Sequence, residues 1–468
     1  MESIFKFMNP NISQPLAVPS NDEIREILVK RIDQQKQAVG IVVGVVEPTG
    51  RRIVAYGTLA SGDARTLDGD TIFEIGSVTK VFTSLLLADM LNRKEVALDD
   101  PAAKYLPENV KMPERSGKSI TLLDLSTHRS GLPPLPSNFK LKDPYNPYGD
   151  YTVDDLYQFL SAYELPRDPG SDLKCSEFEY SNLGAGLLGH LLAYRAGSDY
   201  ESLIRSRITE PLNMPDTGLT LSSSMKQRMA TGHTGILAPI VKHGSPLPTL
   251  AGAGALRSSA NDMLTFLEAF LGYKESSLAP AMKAMLEVRR PVGKIEIGLG
   301  WFINSVDGRT IALHDGGTTG FCSFAGYDPE ERIGVVVLSN TLSNVDDIGF
   351  HLLNPKAPLR HPEPPKQRTE IPIDPKLLEN YTGRYQLELN RILEITRDGD
   401  RLFAQAFAEV NGQPIVGPKF EVFAESEKDF FVKVTGSQIT FETEPEGRAT
   451  SLTMHRAGRK PVPAPRLP

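Results

Sequence analysis

The stretch Gly76-Ser77-Val78-Thr79-Lys80 runs directly into Val81-Phe82-Thr83-Ser84-Leu85-Leu86-Leu87-Ala88-Asp89-Met90-Leu91. The apolar positions Val81, Phe82, Leu85, Leu86 and Met90 fit a buried helix, and a helix carries residues three apart onto one face. Ser77 and Lys80 therefore meet. A serine hydroxyl is a weak nucleophile until a neighbouring base takes its proton, and a desolvated lysine amine can be that base. The same spacing recurs at Ser137/Lys140, Ser171/Lys174 and Ser223/Lys226. Taken alone, any of these matches reads as a capping serine followed by a solvated lysine. The rest of the chain has to single one out.

Upstream, Ser20 followed by Glu23 predicts a capping box for a first helix with the apolar face Ile24, Ile27, Leu28 and Ile32. Gly40-Ile41-Val42-Val43-Gly44-Val45-Val46, the turn Pro48-Thr49-Gly50 and Ile53-Val54-Ala55-Tyr56 read as an antiparallel hairpin. From Ser77 to about Phe270 the pattern is helix and long loop. Strand signals return at Gly300–Ile303, Thr310–Leu313, Phe321–Tyr327 and Ile333–Leu338. Strands at both ends of a helical middle predict an α+β domain: one antiparallel sheet flanked by helices, with an inserted all-helical lobe. Residues 354–375 are rich in proline and charge and read as a linker. Beyond them, Leu393–Thr396, Leu402–Ala404, Phe420–Phe423, Phe430–Val434, Ile439–Phe441 and Leu452–Met454 are short strand signals, with Asp398-Gly399 as a hairpin turn. They predict a small all-β, barrel-like domain. The expected division is a tail (1–19), the α+β domain (20–353), a linker (354–375), a β-domain (376–458) and a proline-rich tail (459–468).

Composition narrows the function classes. A chain of 468 residues has room for a large core and a second, smaller one. A net charge of −7, with 51 basic residues scattered among 58 acidic ones, gives no electrostatic reason to expect nucleic acid. Cys175 and Cys322 are the only cysteines, which excludes a disulfide framework and a thiolate-rich metal site. No apolar run approaches the roughly 18–20 residues of a membrane span. The N-terminus lacks the basic start and apolar core of a secretory signal. A cytoplasmic protein is expected, or a periplasmic or secreted one where the N-terminus has been trimmed. Gly252-Ala253-Gly254 is followed by Arg257 where a dinucleotide fingerprint needs glycine. No Gly-x-Ser-x-Gly elbow surrounds Ser77. No cofactor or metal is called for.

Two segments downstream decide between the serines. Tyr180-Ser181-Asn182 places a tyrosine and an asparagine on one short segment, and His314-Asp315-Gly316-Gly317 follows one strand and leads into another. Ser-x-x-Lys, Tyr-x-Asn and His-x-Gly in this order resemble the serine hydrolases of the class C β-lactamase and D,D-peptidase type. The likeness extends over much of residues 40–350. It includes Leu98-Asp99-Asp100-Pro101, Ile120–Leu132 and Pro211-Leu212-Asn213-Met214-Pro215. His233-Thr234-Gly235 competes for the third motif, but Ile236-Leu237-Ala238-Pro239 makes a poor strand. His128, beyond the second helix of the likeness, reads as structural.

The resemblance implies a role for each residue. Ser77 forms an acyl-enzyme, while Lys80 and Tyr180 share the proton traffic, the sequence leaving open which is the base. Asn182, His314 and Gly316 contact substrate, and the backbone N–H groups of Ser77 and Gly317 form an oxyanion hole. His314 stands where class C β-lactamases usually carry lysine, and an unperturbed histidine is mostly neutral at pH 7. The expected activity is hydrolysis of small-molecule esters or amides, β-lactams and D-amino acid peptides included. An acyltransferase and a penicillin-binding sensor that does not turn over are the alternatives. The oligomeric state is left open.

Overall fold

The computed structural model describes residues 17–139, 149–171, 178–234, 240–241, 249–364, 368–388, 391–410, 413–433, 436–455 and 460–468. Lys140, Lys174, Cys175, Gly235 through Pro239 and Val434, all named above, lie outside the described residues.

Helix α1 (Asn21–Val29) begins at the expected capping box: Ser20 Oγ accepts the Glu23 N–H, and the Glu23 carboxylate accepts the Ser20 N–H at 2.7 Å. Strands β1 (Gly40–Glu47) and β2 (Gly50–Gly57) form the hairpin. They open an eight-stranded antiparallel sheet that continues from β1 to Ile333–Ser339, Cys322–Asp328, Arg309–Gly317, Phe302–Val306, Ile295–Ile297 and Arg290–Val292. The first and last thirds of the domain are thus joined side by side, with Val43 opposite Val337 and Val45 opposite Val335.

Both faces of this sheet are covered, because side chains alternate along a strand and β1 is apolar at nearly every position. Ile41, Val43, Val45, Val335 and Val337 face Ile24 and Leu28 of α1 and Ile348 and Leu352 of the helix Asp346–Leu353. Val42, Val46, Val336 and Leu338 face the larger core built on the helical middle. Its axis is α2 (Thr79–Asn92), reached through the short strand β3 (Ile72–Glu74) and buried on every side from Thr79 to Met90. On it pack the helix Ala279–Glu287, α3 (Leu122–Ser126) through the Ser84–Ser126 hydrogen bond, and α5 (Asn182–Ala196), the last also packed against the turn Ala251–Ala253, while α4 (Val153–Ala162) adds Leu156, Phe159 and Leu160 to the same core. The domain is α+β with an inserted helical lobe, as its sequence predicts.

The C-terminal strands Gly383–Glu388, Arg391–Asp398, Arg401–Val410, Gln413–Ala424, Asp429–Phe431, Gln438–Thr443, Ala449–His455 and Val462–Pro465 each pair with the next. The first and last meet through a bridge between Tyr385 and Arg466 and through Leu467 N–H donating to Arg384 O at 2.7 Å, which nearly closes a barrel. Tyr385, Ile395, Leu402, Phe430, Ile439, Phe441, Leu452 and Ala464 fill its interior.

One expectation is corrected here. The end of the chain, read as a proline-rich tail, contributes the closing strand Val462–Pro465. Proline is tolerated because Pro463 and Pro465 point outward while Ala464 is buried. The stretch read as a linker, residues 354–375, is tied to its neighbours: His351 Nδ1 donates to Ala357 O at 2.7 Å, Arg360 N–H donates to Asp347 at 2.8 Å, and Ile371 N–H donates to Ala424 O at 2.9 Å.

Candidate active site

Ser77 lies in a single 3-10 turn, Gly76–Val78, between β3 and α2, at the positive end of the buried helix. The strand Arg309–Gly317 ends against this turn. Gly76 has φ +48°, and a Cβ there would stand 2.7 Å from Gly317 N; a Cβ on Gly316 would stand 2.2 Å from Ile75 O and 2.4 Å from Ser323 Oγ. Only glycine at both positions lets the two backbones come this close. Ser323 Oγ fastens the junction by donating to Ile75 O at 2.8 Å. The main chain of Gly317 thereby borders the turn that carries Ser77.

Lys80 is one helical turn on, 2% exposed. Its Nζ lies 2.9 Å from Ser77 Oγ, 2.8 Å from Asn182 Oδ1 and 2.6 Å from Ala253 O. Burial pulls the Lys80 amine down to about 7, against the opposing pull of the Asp315 charge. The amine also stands 4.7 Å from the centre of the Tyr180 ring.

Tyr180 is half-buried and precedes Ser181, whose Oγ accepts the Gly184 N–H at 2.9 Å and so caps α5. Asn182 is then the first residue of the helix, which turns its amide toward Lys80. His314 sits inside the strand Arg309–Gly317, where the sequence suggested a position just after it. Its Nδ1 donates to Asp315 O at 2.6 Å, leaving the lone pair on Nε2. Burial pushes this imidazole down to about 4; the Asp315 charge opposes the shift and Lys80 adds to it. At neutral pH it is an uncharged acceptor. Phe302 lies 5.2 Å from the His314 ring and 6.4 Å from Tyr180, and Phe178 lies 6.4 Å from Phe302, forming an aromatic wall beside Lys80.

The structure therefore gathers Ser77, Lys80, Tyr180, Asn182, His314, Gly316 and Gly317 in one place. The rival Ser223/Lys226 pair is exposed at a short helix, Ser223–Arg228. His233 is fully buried, accepting the Ser61 N–H at Nε2 (3.2 Å) and donating from Nδ1 to Asn340 O (2.9 Å), so both ring nitrogens are used structurally. Sequence reasoning missed the Ala253 carbonyl, the aromatic wall and the place of His128 beneath Tyr180. The Gly252-Ala253-Gly254 stretch drew notice only as a failed dinucleotide motif, and a backbone carbonyl carries no side-chain signal. Among the described residues, no cluster of His, Cys, Asp and Glu is placed to hold a metal ion, Cys322 is free, and no helix is long and apolar enough to cross a membrane.

The chain is similar to known proteins over most of its length. D-alanyl-D-alanine-carboxypeptidase/endopeptidase AmpH of Escherichia coli is 29% identical over 345 residues, covering 70% of this chain and 86% of AmpH. A crystal structure of a beta-lactamase/D-alanine carboxypeptidase from Yersinia pestis, complexed with citrate, superposes with a TM-score of 0.63 at 26% identity, over 72% of this chain and 97% of that one. The octameric penicillin-binding protein homologue from Pyrococcus abyssi shares the fold over 95% of this chain and 100% of its own, with a TM-score of 0.61 at 21% identity. Residues 367–464 match a domain of unknown function, DUF3471. Residues 26–351 match the family described as Beta-lactamase, and with the serine, lysine, tyrosine and asparagine drawn together in that span, the chain belongs to the beta-lactamase family of serine hydrolases.

Proposed function

We propose that the protein hydrolyses an ester or amide bond through an acyl-enzyme on Ser77, with D-amino acid peptides and β-lactams as the substrate class suggested by its relatives' names. The observation that carries this reading is the set of partners around Lys80. Asn182 Oδ1 and Ala253 O can only accept hydrogen bonds, so they take both N–H bonds of a neutral amine and leave its lone pair for the Ser77 hydroxyl. An amine held near 7 is partly neutral at physiological pH and serves as the base for acylation.

In this mechanism the Ser77 proton moves to Lys80 Nζ as Oγ bonds to the substrate carbonyl carbon. The negative oxygen is met by the N–H groups of Ser77 and Gly317. The carbon–leaving-group bond then breaks as the departing atom takes a proton from Lys80 by way of the Tyr180 hydroxyl. Water repeats the sequence on the acyl-enzyme, releasing the acid and restoring Ser77. Replacing Ser77 with Ala is expected to abolish both turnover and covalent labelling by a fluorophosphonate or a penicillin, read by intact mass; undiminished labelling would refute the proposal.

His314 shapes the substrate preference. With its proton turned to the Asp315 carbonyl, it offers a substrate carboxylate neither a charge nor a hydrogen. His314→Lys should raise the ratio of kcat/KM for a carboxylate-bearing ester over its uncharged analogue by about 10-fold, the worth of one hydrogen bond to a charged group. A ratio within one variant cancels the further lowering of Lys80 that a second amine causes. An unchanged ratio would remove this role from residue 314.

A further inference from the structure

His128 lies in the loop after α3 with φ +55°, a left-handed conformation that glycine or asparagine adopts more readily. It is 4% exposed. Its ring stands 4.4 Å from the Tyr180 ring at a tilt of 36°, and edge-on to Phe178 at 6.0 Å. Its Nδ1 accepts the backbone N–H of Ser181 at 3.2 Å. An N–H donor at Nδ1 requires a lone pair there, so the neutral ring carries its proton on Nε2. Burial foremost, and then the neighbouring Lys80 and His314, hold His128 well below the ordinary histidine range. It is therefore a fixed neutral group and not a carrier of protons.

We infer that His128 is a positioning residue of the acyl-transfer site: its Nδ1 pins the peptide that joins Tyr180 to Ser181, and so sets where Asn182 stands. The inference rests on the reading of Ser77 as nucleophile. The connection to that nucleophile is short. His128 holds the Ser181 N–H, the next residue presents Asn182 Oδ1 to Lys80 Nζ at 2.8 Å, and Lys80 lies 2.9 Å from Ser77 Oγ. One imidazole thus fixes both outer members of Tyr-x-Asn and, through Asn182, the amine. A misplacement of about 1 Å in such a chain costs on the order of 100-fold in rate.

A histidine that merely fills the core would affect stability and leave the chemistry of the folded protein unchanged. Two substitutions separate these roles. His128→Asn keeps an acceptor oxygen where the imidazole has Nδ1 and tolerates the positive φ, while His128→Phe keeps the ring face and deletes the acceptor. The experiment follows single-turnover acylation of the full chain by a p-nitrophenyl ester and by a penicillin. Intact mass gives the rate, divided by the titrated fraction able to acylate, so that unfolded protein does not count. For H128F the limiting rate should fall about 10- to 100-fold while the half-saturating probe concentration stays within about 2-fold. H128N should recover most of that loss. His128→Gly replaces H128F as the acceptor-free variant if the phenylalanine prevents folding. A wild-type limiting rate in either acceptor-free variant overturns the inference, and so does an H128N no faster than the acceptor-free protein. Failure of the wild-type chain to be labelled at Ser77 would instead overturn the hydrolase reading, and is measured first.

Discussion

Replacing Lys80 with Met is expected to lower the rate of Ser77 acylation by about 1,000-fold, the middle of the range for a general base, and to remove the rise of that rate as pH climbs through about 7. The same variant carries a stability signature. In the unfolded chain this amine titrates near the ordinary lysine value of 10.5, and burial brings it to about 7 in the folded protein. Below pH 7 both states bind the proton and the folded state bears the full cost of a buried ammonium, on the order of 5 kcal/mol. Between about 7 and 10 the unfolded chain holds the proton and the folded protein does not, so stability rises with pH across that window. Above it the cost is gone. The thioether in K80M has no such titration, and the surrounding groups, His128, Tyr180, His314 and Asp315, remain in both proteins. Wild-type thermal stability should therefore gain on K80M as pH increases from 7 to 10. Parallel melting curves for the two proteins across that window would show that the amine is charged in the folded state or never desolvated.

The second large effect is expected at Gly316. A methyl group there stands 2.2 Å from Ile75 O, a main-chain atom that cannot rotate away, and 2.4 Å from Ser323 Oγ. Gly316→Ala must therefore push the strand Arg309–Gly317 off the Ser77 turn and carry the Gly317 N–H away from the forming oxyanion. The loss of one such donor costs about 100- to 1,000-fold in rate, and overpacking costs about 1–3 kcal/mol of stability. Gly317→Ala is the matching control, because a Cβ at Gly317 has only Phe321 O within reach, at 4.0 Å. G317A should melt close to the wild type. Equal melting temperatures for G316A and the wild type would mean that the junction is looser than its geometry implies.

Much of this was legible in the residues themselves. The Ser20/Glu23 box, the β1–β2 hairpin and the uniformly apolar α2 announce themselves because each is a local pattern with its own period or cap. The two ends of the sheet could be matched because strand signals frame a helical middle. Partners defined by distance were harder. Nothing near Ala253 says that its carbonyl will meet Lys80, and the left-handed backbone of His128 is invisible in a loop sequence. Prolines at alternate positions disguised Val462–Pro465 as a tail, since an edge strand needs only half of its N–H groups. The strands Arg290–Val292 and Ile295–Ile297, at 3 residues each, are too brief for an alternating pattern to stand out.

The pairing of β1 with Ile333–Ser339 has a consequence for how the protein is made. As the chain leaves the ribosome, β1 and β2 appear early, and the flank of β1 that will receive Val335 and Val337 stays open while the whole helical lobe is synthesised. That flank is an unpaired, valine-rich edge of the kind that recruits other chains. Folding of the domain is accordingly a late, long-range closure. The same closure delivers Gly316 and Gly317 to Ser77, so a nascent chain acquires its reactivity only when almost the entire domain exists.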